Sequence, residues 1–299
     1  MKQAILILSG SEKDKLPFLV KQFDNRFNIY IHIDRKFDVT QDFIYDLMIQ
    51  KNVKHISHLY ETNWGSMNIV RATLHLCKEA LSNKQNSHFH LISAADFPIV
   101  SNDYICEKFK SDKDNYIDYF KMPHPEWNNG GYTRLMFYHP LDFIDIRKPD
   151  EQTKYYNFIN YQKTLGIRRP LLNIPYYGGS TWWSLSRKCI SYIINNLYNY
   201  NLYISMHDTW VPDEIFIQTL LLNSPIRTNL INNNLRFIVW KQKNGNCPAN
   251  LDINDFNDII KSNCIFMRKV DKECSLELVK KISRMRNNNI KTISKYDLR

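Results

Sequence analysis

Across residues 1–100 the apolar positions follow two rhythms. Residues 4–9 (Ala-Ile-Leu-Ile-Leu-Ser) and 28–34 (Asn-Ile-Tyr-Ile-His-Ile-Asp) are short, nearly unbroken apolar runs that predict buried strands, with polar, helix-compatible sequence between them. Met67, Val70, Leu74, Cys77 and Leu81 then recur at steps of three and four, which predicts an amphipathic helix, and residues 88–93 (His-Phe-His-Leu-Ile-Ser) supply the next strand. Strand and helix in alternation predict an α/β fold with a mostly parallel sheet, helices on both faces, and ligands bound beyond the carboxyl ends of the strands.

From 121 to 176 the pattern dissolves into Pro, Asn, Gly, Tyr, Trp and Arg, a long irregular segment of the kind that carries function inside a compact domain. Order returns at residues 178–186, a strand approached through Gly178 and Gly179, followed by a helix from near Arg187. Pro212 suits the first turn of a helix because its missing N–H would be unpaired there, so Asp213 and Glu214 fall at the mouth of a helix whose body, residues 215–222, is too apolar to face water. Residues 235–240 read as a strand, 252–260 as a short helix, 264–267 as a last strand running into Arg268 and Lys269, and 275–285 as a closing helix. With no Pro/Gly/Ser linker, residues 1–285 form one domain and 286–299 a polar, basic tail that frays.

Composition changes this picture in three places. With 43% apolar and 13% aromatic residues, the chain of 299 has ample material for a core, and no window reaches 18 consecutive apolar residues, so no membrane span is expected. The first apolar run is too short for a leader and reads as a strand. The six cysteines (77, 106, 189, 247, 264 and 274) form no C-x-x-C pair and suit a reduced, cytoplasmic compartment. The formal charge of +10 calls for an anionic partner: nucleic acid, an anionic lipid surface, a phosphorylated acceptor or a nucleotide-activated donor. No nucleic-acid module or basic run with stacking aromatics is present, so nucleic acid is not the expected partner.

The candidate chemistry is sparse. Asp34 and Asp96 stand just past apolar strands, where ligand residues collect in a parallel sheet, although aspartates there also cap helices. Asp112-Lys113-Asp114 lies in a hydrophilic cluster and reads as a turn, while the nine histidines lack ligand spacing with a nearby acid, so no catalytic metal is expected. If a phosphorylated donor binds without a metal, fixed cations must hold its charge, and Arg236 and Lys269 are placed for this near their strands. No G-x-S-x-G elbow, P-loop or G-x-G-x-x-G occurs. Asp213 and Glu214 either complement a helix dipole or supply a general base.

Six segments in order carry a resemblance: residues 30–36 (Tyr-Ile-His-Ile-Asp-Arg-Lys), 64–66 (Trp-Gly-Ser), 91–99 (Leu-Ile-Ser-Ala-Ala-Asp-Phe-Pro-Ile), 179–187 (Gly-Ser-Thr-Trp-Trp-Ser-Leu-Ser-Arg), 212–214 (Pro-Asp-Glu) and 267–269 (Met-Arg-Lys). Over roughly residues 4–285 the chain resembles the core-2/I-branching β-1,6-N-acetylglucosaminyltransferase family (glycosyltransferase family 14), which also holds the peptide xylosyltransferases. The resemblance implies a GT-A-like, Rossmann-type α/β fold and an inverting, metal-independent transfer of a sugar, GlcNAc first among them, from a UDP-sugar to a hydroxyl of a glycan or lipid-linked glycan. It implies Glu214 as general base, Arg236 and Lys269 on the diphosphate, Asp34 and Trp64 lining the uridine, and Asp96 closing the nucleotide pocket. Trp182 and Trp183 would border the acceptor cleft, with Glu126, Trp127 and Arg134 as further acceptor contacts. The Lys, Asn and Ile richness suits a bacterial, AT-rich source building surface polysaccharide, peripheral on the inner membrane face. The competing expectation is a catalytically silent nucleotide-sugar or glycan-binding protein in which Glu214 only caps its helix. Burial near the tryptophans would have to offset the dipole, which lowers a carboxylate pKa and weakens a base.

Overall fold

The computed structural model of the protein describes residues 1–110 and 115–287. The expected turn at Asp112-Lys113-Asp114 and residues 288–299 of the expected tail lie outside the described residues.

The strands are β1 (Lys2–Ser9), β2 (Phe27–Ile33), β3 (Val53–Ser57), β4 (Asn86–Ser93), β5 (Asp96–Pro98), β6 (Asn115–Ile117), β7 (Phe120–Lys121), β8 (Tyr177–Gly178), β9 (Trp183–Ser186), β10 (Leu230–Asn232), β11 (Arg236–Ile238) and β12 (Phe266–Arg268). The helices are α1 (Leu16–Val20), α2 (Gln41–Met48), α3 (Met67–Ser82), α4 (Asn102–Lys108), α5 (Thr133–Met136), α6 (Pro149–Thr164), α7 (Arg187–Asn195), α8 (Leu202–Ser205), α9 (Phe216–Leu222), α10 (Phe256–Lys261) and α11 (Leu276–Asn287). Among the described residues the central sheet runs β10-β6-β9-β4-β1-β2-β3. Every neighbouring pair is parallel except the two made by β9, so the sheet is mostly parallel, as its sequence pattern predicts. A smaller sheet, β11-β12-β5, stands beside it.

The unbroken apolar runs follow from burial on both faces of this sheet. Side chains alternate along a strand, so Ile5, Ile7, Ile29, Ile31 and Ile92 enter one core with α1, α4, α10 and α11, while Ala4, Leu6, Tyr30, Phe89 and Leu91 enter the other with α3, α7 and α9. The expected helix over 67–81 is α3, which buries Met67, Val70, Leu74 and Cys77 on one stripe.

Two expectations change. The segment 121–176 is not irregular throughout, since it contains the 16-residue helix α6. Only Tyr155, Ile159 and Gln162 of that helix are buried, and aromatic residues also occupy its outer surface, so no apolar stripe stood out. At the other end α11 continues to Asn287, and Arg286 is buried with Nε donating to the Val100 carbonyl at 2.9 Å, so Arg286 belongs to the folded body.

Candidate active site

The chain passes from β1 to β2 and β3 on one side, then returns to place β4 on the other side of β1, so the strand order reverses there. A crevice opens at the carboxyl ends of the strands at such a reversal, and there Asp34 follows β2 and Asp96, the first residue of β5, follows β4. Asp34 is buried: its amide donates to the Ser9 carbonyl at 2.8 Å, joining the ends of β1 and β2, and its Oδ1 accepts from the Lys36 amide at 3.0 Å. The Lys36 ammonium donates to Asn63 Oδ1 at 2.8 Å and Asp145 Oδ2 at 2.9 Å, bracing this loop against the one bearing Trp64. Trp64 itself is 41% exposed and meets Trp210 edge to face, 5.9 Å between ring centres. Gly65 between them sits at φ +78°, and a Cβ there would come within 2.9 Å of the Trp210 ring.

A cationic pole closes the crevice. Asp96 accepts a close hydrogen bond from the Ser93 amide and lies 3.6 Å from Arg268 Nε. The Arg268 guanidinium lies 4.1 Å from the centre of the Trp182 ring, and although the residue is 8% exposed, Nε and Nη1 have no hydrogen-bond acceptor. Lys269 Nζ is 3.4 Å from Asn246 Oδ1. Burial pulls the pKa of both Arg268 and Lys269 below the ordinary values, and for Lys269 the neighbouring Arg268 adds to the effect. Two cations short of counter-charge attract an anion.

Arg236 differs from its expected role. Its fork is buried and occupied: Nη1 donates to Ser184 Oγ at 2.8 Å and to the Asn234 carbonyl, and Nη2 to the carbonyls of Leu91 at 2.8 Å and Trp183 at 2.7 Å. A guanidinium in that setting joins β11 to β4 and β9 and is not free to face a diphosphate. Trp183 is corrected as well. Adjacent residues of a strand point to opposite faces, and Trp183 is 1% exposed in the core shared with α3 and α7, leaving Trp182 alone against the cationic pole.

The acidic pole is built on a 3₁₀ turn, Pro212–Glu214, in place of the expected continuous helix; Ile215, at φ −127° and ψ −42°, separates the turn from α9. Val211 precedes it at φ +55°, a strained conformation for a β-branched residue. The loop ahead of β9 packs on this turn: the Gly179 amide donates to the Glu214 carbonyl at 2.9 Å, Thr181 Oγ1 to Asp213 Oδ2 at 2.7 Å, and Gln218 Nε2 to the Ser180 carbonyl at 2.7 Å. Only glycine fits at 179, where a Cβ would lie 1.9 Å from the Asp118 carbonyl oxygen. Asp213 is partly buried, its Oδ1 is enclosed and unpartnered, and burial pushes its pKa up.

Glu214 Oε2 accepts from Arg134 Nη1 at 2.7 Å, and 26% of the Glu214 side chain meets solvent. Its pKa is pushed up to about 7, first by burial and then by Asp213, against the opposing pull of Arg134. Arg134 lies 3.6 Å over the Trp127 ring and 5.5 Å from Trp210, so an expected acceptor residue holds the carboxylate directly. Glu126 is exposed on the loop before Trp127.

The structure thus groups Glu214 with Arg134 and Trp127, Asp34 with the Trp64 loop, and Asp96 with Lys269, Arg268 and Trp182. Sequence reasoning left out Arg268, Trp210 and Lys36. Arg268 and Trp210 stood inside or beside the quoted segments 267–269 and 212–214, so proximity to a motif was the signal available. Among the described residues, no three His, Cys, Asp or Glu side chains gather as metal binding requires.

Among solved structures, the bifunctional glycosyltransferase WbbM aligns over 91% of this chain and 46% of its own, at 9% identity and a TM-score of 0.43. Core-mannan synthase A of Aspergillus fumigatus aligns over 77% of this chain and 72% of its own, at 7% identity and a TM-score of 0.36. Xylosyltransferase 1 of Rattus norvegicus is 26% identical over 255 residues, covering 81% of this chain and 28% of that protein. Xylosyltransferase 2 of Mus musculus is 24% identical over 260 residues, covering 81% and 27%. The chain therefore spans little more than a quarter (28% and 27%) of the length of these relatives. The profile of the Core-2/I-Branching enzyme family matches residues 11–260, which contain Asp34, Trp64, Asp96 and the Pro-Asp-Glu turn, and on that extent the chain belongs to the Core-2/I-Branching enzyme family.

Proposed function

We propose that the protein transfers a sugar from a UDP-sugar to a hydroxyl of a glycan or lipid-linked glycan, with inversion and without a divalent metal. GlcNAc is the first candidate, and xylose the second on the names of the relatives. The observation that carries the reading is the Glu214 carboxylate: its pKa stands at about 7 and Arg134 fixes its direction. A base whose pKa lies near the working pH combines an adequate ionised fraction with useful proton affinity.

In this reading Glu214 takes the proton of the acceptor hydroxyl as the oxygen attacks the anomeric carbon from the face opposite UDP. Arg134 is a positioning residue that favours the ionised carboxylate. Arg268 and Lys269 receive the charge that builds on the departing diphosphate, replacing Arg236 in the expected pair. Asp34 and Trp64 line the nucleoside, and Asp96 holds Arg268 in place. Trp127 and Trp182 offer flat apolar faces to sugar rings on the two sides of the base.

The second reading is a protein that binds nucleotide-sugar or glycan without turnover, and the same ion pair favours it, because a carboxylate already bound to Arg134 can be a structural partner alone. Release of UDP from a panel of UDP-sugars, with and without acceptor glycans, separates the two. Base assistance typically contributes about 10²- to 10⁴-fold, so Glu214→Gln is expected to slow turnover within that range while UDP still binds. A variant as fast as the parent removes Glu214 from the base role. Activity abolished by EDTA and restored by manganese removes the metal-free mechanism.

A further inference from the structure

A helix of a single turn cannot hold itself together, because its last carbonyls have no partner within the helix. The helix α5 is such a turn, yet it carries Arg134, the side chain that meets the Glu214 carboxylate. Its open carbonyls are filled from outside. The Trp210 amide donates to the Arg134 carbonyl at 3.0 Å, and the Arg169 amide to the Met136 carbonyl at 2.8 Å. The Thr133 carbonyl, one residue before Arg134, is met by the side chain of His139, whose Nε2 lies 3.0 Å away.

A carbonyl oxygen only accepts, so this contact puts the proton of the neutral imidazole on Nε2 and leaves a lone pair on Nδ1. Nδ1 faces the Tyr155 hydroxyl at 2.8 Å, and the hydroxyl therefore donates to it. Donation runs one way, from Tyr155 of α6 to His139 and from His139 to α5. Both side chains are buried, and burial holds the Tyr155 hydroxyl above its ordinary pKa, so it keeps its proton. Burial also pushes the pKa of His139 down to about 4, with the Arg169 charge adding to the effect and the Thr133 carbonyl opposing it. The ring is thus neutral, with one tautomer, throughout the range in which Glu214 titrates.

The backbone beneath the ring is clamped as well. The His139 amide donates to the Asp208 carbonyl at 3.0 Å, and Tyr138 and Gln162 exchange two hydrogen bonds of 2.8 and 2.9 Å. Arg169 Nη1 donates to the carbonyls of Phe137 at 3.2 Å and Asp208 at 2.7 Å. The charges that act on Glu214 are Asp213 on its own turn, Arg134 from α5 and Asp118 from the residues after β6. Arg134 is the cation among them, so its placement decides how far the carboxyl is drawn down.

We propose that His139, held by Tyr155, is a positioning residue that aims Arg134 at Glu214 by fixing the one-turn helix at its Thr133 carbonyl. The inference rests on the reading of Glu214 as the base, and it gives α6 a task at the site: the helix acts on the carboxylate through two buried side chains. A ring that merely filled the core could be replaced by any flat ring of its size.

The test compares three variants with the parent. His139→Phe keeps a flat ring and loses the Nε2 donor, His139→Gln supplies an amide donor in its place, and Tyr155→Phe removes the hydroxyl alone. Glu214 is followed directly, as the isotope-labelled glutamate carboxyl resonance that is missing from Glu214→Gln, and UDP titration reports folded protein. In His139→Phe the downward pull of Arg134 weakens, so the midpoint should rise from about 7 by up to about one unit. The ionised fraction at pH 7 then falls from about one half to about one tenth, and kcat/KM at that pH by about fivefold, with the plateau recovered at higher pH. His139→Gln should hold the midpoint within about 0.3 unit, and Tyr155→Phe should raise it by less than His139→Phe does. An unchanged midpoint in His139→Phe, or a shift in His139→Gln as large as that in His139→Phe, overturns the proposal and leaves the ring a packing role alone. If His139→Phe does not fold, Tyr155→Phe decides in the same way, a raised midpoint supporting the proposal and an unchanged one overturning it. The base reading fails separately, through a Glu214→Gln variant as fast as the parent, because the carboxyl titration reports the hold of Arg134 whether or not sugar is transferred.

Discussion

Arg236 opens β11 and Arg268 closes β12, strands paired in parallel, and at 5% and 8% exposure both arginines are buried. Their surroundings are opposite in kind. Around Arg236 four oxygens, those of Ser184, Asn234, Leu91 and Trp183, meet the two terminal nitrogens. Around Arg268 there is a tryptophan face, a carboxylate at 3.6 Å and two nitrogens with no hydrogen-bond acceptor. Depth alone therefore does not separate a cation that holds a fold from one that holds a ligand. What differs is the terminal fork, filled in Arg236, where Nε alone is unpartnered, and open in Arg268, where Nε and Nη1 both are, and a buried orphan is costly enough that it persists most readily where something else satisfies it.

The largest effect that this contrast predicts is on stability. Arg236→Met should cost at least about 3 kcal/mol, since it orphans several buried acceptors at about 1–3 kcal/mol each. Arg268→Met should cost less, because the side chain gives up no hydrogen bond and the loss is confined to the buried Asp96 carboxylate left without its cation. Urea unfolding midpoints of the two variants measure the difference. Equal losses would erase the distinction drawn between the two regions.

Next in size is ligand affinity, where the order reverses. A hydrogen bond to a charged group contributes about 1.5–3 kcal/mol, so Arg268→Met should weaken UDP binding by about 10- to 100-fold. Arg268→Lys should recover only part of it, as an ammonium lacks the planar fork. Calorimetric titration with UDP reads both, and an unchanged Kd for Arg268→Met would remove that residue from the donor side.

How much of this was legible in the sequence depended on what each element packs against. β1, β2 and β4 are buried on both faces, so their apolar runs were unbroken and readable, and α3 shows a clean stripe because a single face is buried. The helix α6 rests on the body through Tyr155, Ile159 and Gln162 while Tyr156, Phe158 and Tyr161 stand outside, which blurs its period. Arg236 and Arg268 both adjoin apolar strands, and residue type cannot say which finds carbonyls to bind, because Leu91 and Trp183 reach Arg236 from β4 and β9, far away in sequence. Trp182 and Trp183 were indistinguishable for a related reason: which face of β9 is the core is set by its neighbours β4 and β6. For Glu214 the opposition between dipole and burial was visible, but not its outcome. The 3₁₀ turn breaks from α9 at Ile215, and burial with Asp213 then outweighs Arg134.

The smallest effect predicted sharpens the contrast between paired and orphaned charge at Glu214, which has a counter-ion yet titrates like a group short of one. Only the ionised carboxylate accepts a proton, so with its pKa at about 7 the log of kcat/KM should rise with unit slope below that pH and level off above it. Arg134 opposes the upward shift, so Arg134→Gln should move the midpoint higher, by about one unit if the pair contributes about 1.4 kcal/mol, and Arg134→Lys should move it less. A purely structural arginine would lower the rate at every pH and leave the midpoint where it was. The same carboxyl has the opposite sign in folding. Between the ordinary value of 4.5 and about 7 the native state binds its proton more tightly than the unfolded chain, so this group's contribution to stability declines as pH rises through that window. Glu214→Gln should flatten the decline while abolishing the catalytic limb, and a variant whose stability changes with pH between those two values as the parent's does would show that Glu214 is ionised throughout and that Arg134 outweighs burial.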